Sequence, residues 1–381
     1  MKISGAWLNH AGTQALCATL EAAGHRALFV GGCVRNALLG VAVADVDIAT
    51  DARPETVTAL AQAAGLRVVP TGIDHGTVTV IAGGVAHEVT TFRRDVETDG
   101  RRAVVAFAVD VAEDAARRDF TMNALYSDAR GEVIDPLGGM PDLQARRVRF
   151  VGDAHLRIRE DYLRILRFFR FHAHYGDPSQ GMDAEGLAAS AELAEGVEGL
   201  SRERIGAEMR KLLAAPDPAP AVAAMAQAGV LARVLPGADM RALAPLVHLE
   251  AALVPLRWQR RLAVLGGQDV AERLRLSRAD AASVEALRDA VGRGWSLAAL
   301  GYKLGAEAGV DAVLLRTALL ETPLPPDWQA EVARGAMSVM PVTAADLMPD
   351  LQGAALGVRL KEIEARWLAS DLRLTRADLL A

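Results

Sequence analysis

Strand signals crowd the part of this 381-residue chain before Asp142 and fade after it. That change of pattern confines the fold to an α/β head followed by helices. Ala27–Val30 is a short apolar run ending in Gly31-Gly32, the pattern of a buried strand closed by a tight turn. Val34–Leu39 starts a helix that Gly40 stops. Val46, Ile48 and Thr50 alternate with Asp45, Asp47 and Ala49, as on a strand with two unlike faces. The β-branched segments Val78–Ile81 and Glu88–Phe92 read as two more strands, and Val133-Ile134 as a short one. Pro54 followed by Glu55–Ala64 gives a helix start and an apolar stripe. Beyond Asp142, Leu, Ala, Arg and Glu recur at helical spacing, with the clearest linker at Ala214–Pro220 and a second break at Thr322–Pro326.

A chain of this length exceeds one small core and suggests two or three domains. Hydrophobic residues make up 51%, enough for globular burial, yet no apolar run approaches the ~20 residues of a bilayer-spanning helix, so no membrane partner is expected. Met1–Gly12 lacks a basic segment followed by an apolar one, which argues against a secretory signal. Cys17 and Cys33 are the only cysteines; they make neither a disulfide framework nor a zinc site, and a reducing cytoplasm fits them. A net charge of −6 opposes a protein that coats nucleic acid. The average hides a basic middle, however. Arg146, Arg147, Arg149, Arg157, Arg159, Arg164, Arg167 and Arg170 are opposed there only by Asp153, Glu160 and Asp161.

Asp45 and Asp47 stand two apart on the expected strand, so both carboxylates point to one side. Two like charges side by side are destabilising unless a cation lies between them. Hard oxygen ligands suit Mg²⁺, which binds through one or two carboxylates plus substrate phosphates. Glu88 on another strand would add a third carboxylate, the layout of a two-metal catalytic site. The alternative is a solvated acidic edge strand. Gly31-Gly32 lets backbone approach a ligand, and the helix that follows offers free N–H groups to phosphate; Arg35 lies one turn inside. A plain tight turn is the competing reading. Both features fall within one strand–helix–strand unit, which favours a phosphate cradle beside a metal pair.

Seven ordered motifs carry a resemblance. They are Gly31–Arg35, Asp45–Thr50, Glu88–Arg93, Arg117–Ala124, Asp135–Gly139, Glu160–Arg164 and Ser201–Ile205. Together they resemble the class II transfer RNA nucleotidyltransferases and bacterial poly(A) polymerases. The resemblance implies an α+β protein: a nucleotidyltransferase α/β head with mixed sheet over residues 1–145, then an all-helical neck over 146–215 and a body and tail over 216–381. It implies that Asp45 and Asp47 hold Mg²⁺ and that Gly32 and Arg35 contact the nucleotide. Arg118 and Asp119 would serve the nucleotide too, with Asp119 on the ribose 2′-hydroxyl. The neck would recognise the base, and the body and tail would bind tRNA.

Asp161 and Arg164, three apart on an expected helix, share a face. Asp accepts hydrogen bonds and Arg donates them. Cytosine and adenine each offer an amino donor beside a ring acceptor and suit the pair. Guanine and uracil present a carbonyl instead, leaving an unpaired acceptor that costs about 1–3 kcal/mol. The pair thus selects C and A without a nucleic-acid template, as the resemblance also implies. Arg167 and Arg170 continue the face as expected triphosphate contacts.

The expected activity is CCA addition to the tRNA 3′ end from CTP and ATP, with pyrophosphate leaving. Poly(A) polymerase, a partial adder of CC or A alone, and a non-catalytic RNA-binding protein are the alternatives. Poly(A) relatives usually carry a basic Gly-Arg-Arg-Phe segment where this chain has Thr71–Thr77, which favours CCA addition. Asp95–Phe107 reads as a polar flexible loop, a segment needed in relatives to switch from C to A addition. Ala103 and Asn36 depart from the proline and aspartate common there. His155, His172, His174, Trp258, Trp328, Trp367 and Cys33 read as packing or surface residues.

Overall fold

The structure, a computed structural model, describes residues 1–73, 76–99, 102–348 and 350–381. It separates into two compact units, Met1–Leu200 and Ser201–Ala381.

The first unit is built on a seven-stranded mixed sheet. Its strands are β1 (Leu28–Val30), β2 (Asp47–Thr50), β3 (Arg67–Val69), β4 (Thr77–Ala82), β5 (Val85–Thr91), β8 (Tyr126–Ser127) and β9 (Val133–Ile134), in the order β3-β4-β5-β2-β1-β8-β9. β2 and β5 run parallel and every other pair is antiparallel. Central strands covered on both faces need continuous apolar character, and β1 is buried throughout as Leu28, Phe29 and Val30. β4 shows the other pattern, with Val78, Val80 and Ala82 inward and threonines or Ile81 between them.

Helices α1 (Ala11–Ala22), α2 (Gly32–Leu39), α3 (Pro54–Ala63) and α4 (Val111–Ala116) belong to the sheet region. α1 approaches so closely that a Cβ on Gly12 would lie 2.3 Å from the Ala82 carbonyl oxygen. Asp95–Phe107, expected as a loop, instead contributes to an antiparallel pair, β6 (Arg93–Asp99) and β7 (Arg102–Phe107), with a bulge between Asp95 and Glu97. The β-branched Val96, Thr98, Val104 and Val105 of the segment favour strands despite its acids and arginines. Asp74 and His75 of the Thr71–Thr77 segment, and Gly100 and Arg101 of this one, lie outside the described residues.

Helices α5 (Met140–Gln144), α6 (Ala154–Glu160), α7 (Leu163–Tyr175) and α8 (Ala184–Glu192) complete the unit. The Asp135–Gly139 motif explains the start of α5, because the Asp135 carboxylate accepts the Gly139 and Met140 N–H groups at 2.8 and 2.9 Å. α7 is strongly two-faced. Leu163, Ile165, Leu166, Phe168, Phe169 and Phe171 are buried, while Arg164, Arg167 and Arg170 mark another stripe. Phe168 stacks on Phe150 with centroids 5.3 Å apart, and Phe120 lies 5.0 Å from Phe150 and 4.9 Å from Phe171. This aromatic cluster fixes α7 against the Arg117–Ala124 motif.

The second unit is helical. It opens with α9 (Arg202–Leu213), whose N-cap Ser201 accepts from the Arg204 N–H at 3.4 Å. Ala214–Pro220 is no loose linker. Arg261, on the helix Trp258–Leu265, donates to the carbonyls of Leu213 and Ala215 at 2.8 and 2.5 Å and to that of Pro216 at 3.1 Å. Arg261 and Arg260 are both buried, and they share Glu250 at 2.7 Å each; Arg260 also pairs with Asp311 at 2.6 Å. Trp328 and Trp367 are buried and Trp258 packs beneath Arg210, so the three tryptophans serve helix packing.

Candidate active site

The glycine turn forms as expected. Gly31 takes φ +69, open to glycine at little strain, and caps α2 from the end of β1. Cys33 is buried in the first turn, its Sγ 3.3 Å from the Val30 carbonyl oxygen; burial pushes its thiol up to about 11, which suits packing rather than reactivity. Cys17 is likewise buried and pushed up to about 12.

Asp47 opens β2, with Asp45 in the exposed segment just ahead of the strand rather than on it. The parallel register sets Asp47 directly beside Glu88 on β5. Burial, then Glu88, and more weakly Asp45 raise the Asp47 carboxyl above its usual value, while Arg118 opposes them. An acid held up by two neighbouring carboxylates is one that a cation would relieve, and the donors are hard oxygens. Among the described residues no three His, Cys, Asp or Glu side chains form a ligand group.

Arg118 is positioned by Asp114, an acid not among the residues expected at the site. Asp114, in α4, is buried and accepts from Arg117 at 2.9 and 2.7 Å, Arg118 at 3.3 and 2.9 Å, the Tyr126 hydroxyl at 2.7 Å and the Arg93 N–H at 3.2 Å. Burial raises this carboxyl, but Arg118, Arg117 and Tyr126 outweigh it and hold it down at about 2. The Arg118 Nη1 is left facing the turn, 3.5 Å from where a Cβ on Gly31 would stand. The signal for Asp114 was its spacing, three and four residues before the two arginines.

Asp119 accepts four hydrogen bonds. The Phe120 N–H and Asn123 Nδ2 reach Oδ1 at 2.9 and 3.0 Å, and Arg167 reaches Oδ2 through Nε and Nη2 at 2.7 and 2.5 Å. Burial raises its carboxyl, yet Arg167 and Asn123 hold it below the usual range. Arg35 is almost fully buried. It donates through Nη1 to Asn123 Oδ1 at 2.5 Å, through Nη2 to Asn36 at 2.9 Å and to the Tyr175 hydroxyl at 2.8 Å, and lies 3.9 Å from the Tyr175 ring centroid. Asn36 turns its departure from the common Asp to use: Oδ1 accepts from Arg35 while Nδ2 donates to the Ala42 carbonyl.

The expected helix pair Asp161–Arg164 needs correction. Asp161 is extended (φ −156, ψ 105) at the break between α6 and α7, where its Oδ1 caps α7 through the Leu163 N–H at 3.1 Å. Arg164 lies inside α7 and pairs with Glu160 at 2.5 Å, also donating to the carbonyls of Arg157 and Arg117 at 2.8 and 3.3 Å. Extended backbone at Asp161 breaks the helical spacing that the sequence implied. Arg167 pairs with Asp119, and Arg170 lies 4.5 Å from the Phe171 ring centroid. Arg118 thus stands between the glycine turn and Asp47, on which its charge acts, while Arg35 reaches Asp119 and Arg167 through Asn123.

A mixed sheet that gathers carboxylates and arginines behind a glycine turn is the architecture of a nucleotidyltransferase head. Residues 27–149 match the Poly A polymerase head domain, and residues 182–241 match the family described as "Probable RNA and SrmB- binding site of polymerase A". The Bacillus stearothermophilus CCA-adding enzyme, solved in complex with CTP, is 30% identical and superposes with a TM-score of 0.74 over 94% of this chain and 93% of that one. The chain belongs to the tRNA nucleotidyltransferase and poly(A) polymerase family.

Among curated relatives, the mouse (Mus musculus) protein "CCA tRNA nucleotidyltransferase 1, mitochondrial" is 46% identical over 190 residues, covering 50% of this chain and 44% of its own. The Geobacillus kaustophilus CCA-adding enzyme is 41% identical over 241 residues, covering 63% of this chain and 56% of its own. The chain spans about half the length of these curated relatives. Nucleotidyltransferases of this fold use divalent metals. Among the described residues no helix is long and apolar enough to cross a membrane.

Proposed function

We propose that this chain adds CCA to the 3′ end of tRNA from CTP and ATP, by attack of the RNA 3′-hydroxyl and release of pyrophosphate. One observation carries the reading: the β2–β5 register places Asp47 beside Glu88, with Arg118 close enough to oppose their charge. The donor set fits Mg²⁺ held by Asp45 and Asp47, which would activate the 3′-hydroxyl and neutralise charge on the leaving phosphates. Arg118 supplies positive charge at the Gly31-Gly32 turn, where backbone N–H groups meet phosphate. Asp119 exchanges one of its four hydrogen bonds for the ribose 2′-hydroxyl. Asp161 keeps its cap on α7 with one oxygen and reads the base with the other, and Arg164 leaves Glu160 to complete the reading. Arg167 and Arg170 meet the triphosphate.

In this proposal residues 1–145 act as the catalytic head, 146–215 as the base-recognising neck and 216–381 as the tRNA-binding body and tail. Two buried free thiols suit the reducing cytoplasm. The sequence identity to CCA-adding enzymes, together with the lack of a Gly-Arg-Arg-Phe segment, favours CCA addition over poly(A) synthesis. The test is incubation of tRNA lacking its 3′ end with labelled CTP and ATP, separately and together, in the presence of Mg²⁺. CCA addition predicts a three-nucleotide extension only with both. Long tails from ATP alone would assign poly(A) synthesis, a product stopped at CC or needing a CC end would assign a partial adder, and no extension would sink the proposal.

A further inference from the structure

The Asn123 amide joins two groups that would otherwise be separate. Its Oδ1 accepts from Arg35 Nη1 at 2.5 Å, and its Nδ2 donates to Asp119 Oδ1 at 3.0 Å. Asp119 in turn holds Arg167 at 2.7 and 2.5 Å. The result is a continuous chain, Arg35–Asn123–Asp119–Arg167, running from the helix behind the glycine turn to α7. Asn123 is itself buried, and its backbone is fixed by the short turn in which its N–H donates to the Phe120 carbonyl at 2.9 Å.

The chemistry of the link is selective. One neighbour is a guanidinium, which only donates, and the other a carboxylate, which only accepts when ionised. The connecting side chain must accept on one side and donate on the other. A primary amide does both at neutral pH. An ionised carboxylate satisfies Arg35 but sets two acceptors face to face at Asp119. A methyl group satisfies neither.

We propose that Asn123 is a positioning residue that couples the Arg35 side of the nucleotide pocket to the Arg167 side, so that the two arginines are held in one geometry. The inference rests on the reading of this pocket as the CTP and ATP site. Asn123 does not touch the reacting atoms; it acts through Asp119 and Arg167.

The test compares the full chain with Asn123→Ala and Asn123→Asp, measuring kcat/KM for C and A incorporation across pH, with a thermal melt of each to show that it is folded. Loss of a hydrogen bond to a charged group predicts a fall of roughly 10- to 100-fold for Asn123→Ala, parallel to the unsubstituted protein at every pH. A protonated carboxyl both donates and accepts, like the amide. Asn123→Asp should therefore be as weak as Asn123→Ala at high pH and gain on it as pH falls. Arg35 on α2 and Asp119 in its own motif bond position 123 directly; Tyr175 and Arg170 on α7 act on Arg35, Arg167 on Asp119, and Arg118 stands across Gly31 from the Asn123 carbonyl. Asp119 favours the protonated form and the arginines oppose it, so the new carboxyl and Asp119 titrate as a coupled pair. Asn123→Asp tracking Asn123→Ala at every pH, or either variant matching the unsubstituted protein, overturns the positioning role alone. An unsubstituted protein that incorporates neither nucleotide overturns the functional reading and the positioning role with it.

Discussion

At the scale of single residues, the pocket is governed by buried acids that organise arginines. Asp114 is the clearest, with six hydrogen bonds converging on one carboxylate. Its carboxyl is depressed from 3.8 to about 2. A depressed carboxyl contributes stability that is fully present above its unfolded value and is lost as pH falls through the folded one. Asp114→Asn should therefore cost about 2 kcal/mol at neutral pH, with the difference from the unsubstituted protein vanishing below about pH 2 in urea melts. Asp47→Ala should abolish incorporation while leaving the melting temperature within a few degrees, since a carboxyl raised by burial and by Glu88 is one the apo fold does not need; normal turnover would refute its catalytic role. Asp47 was legible because two acids in strand spacing demand an explanation. Asp114 was not, because an acid in an alanine-rich helix looks like a solvated face until its partners are placed around it.

Elements show where local pattern suffices and where it fails. α7 could be anticipated from its arginine spacing, and β1, β2, β4, β5 and β9 from apolar runs and alternation, whereas β3 and the two-residue β8 were not expected. The β6–β7 pair was harder to see, because the acids and arginines between Asp95 and Arg102 draw attention away from the β-branched Val96, Thr98, Val104 and Val105. The break before α7 was equally hidden: Glu160-Asp161-Tyr162 continues the helical composition, and only the cap formed by Asp161 ends it. That cap decides which variant tests base selection. Asp161→Asn keeps an oxygen for the Leu163 N–H and replaces the other acceptor with a donor. Discrimination against GTP and UTP should fall by roughly tenfold or more, because an amide donor now suits their carbonyls. Unchanged selectivity in single-nucleotide incorporation assays would refute protein-templated base choice.

At the scale of the molecule, the fold class followed from the fading of strand signals, but the compact units did not. Their division falls between Leu200 and Ser201, while the proline-rich stretch that looked like the boundary lies within the second unit. The reason is a long-range charge cluster that adjacent residues cannot reveal: Glu250 serves both Arg260 and Arg261. Glu250→Gln leaves two buried guanidinium groups under-compensated and should cost about 3–5 kcal/mol, read as a lower urea midpoint with an unchanged slope. The arginine-rich segment between Arg146 and Arg170 makes a separate prediction for the whole chain. The logarithm of the tRNA binding constant should fall linearly with log salt despite the net charge of −6, and a flat response would remove phosphate contact from the role of that segment.

The hold that Arg261 keeps on the Leu213, Ala215 and Pro216 carbonyls has a practical consequence for anyone dividing this protein. A cut at Pro216 would look harmless in the sequence, yet it would strip a buried cation of three oxygen partners and leave it in the half that was meant to survive. Proteases should pass over the same stretch, because a backbone pinned by its carbonyls cannot be drawn into an extended cleavage pocket. The division between compact units lies at Leu200–Ser201 instead.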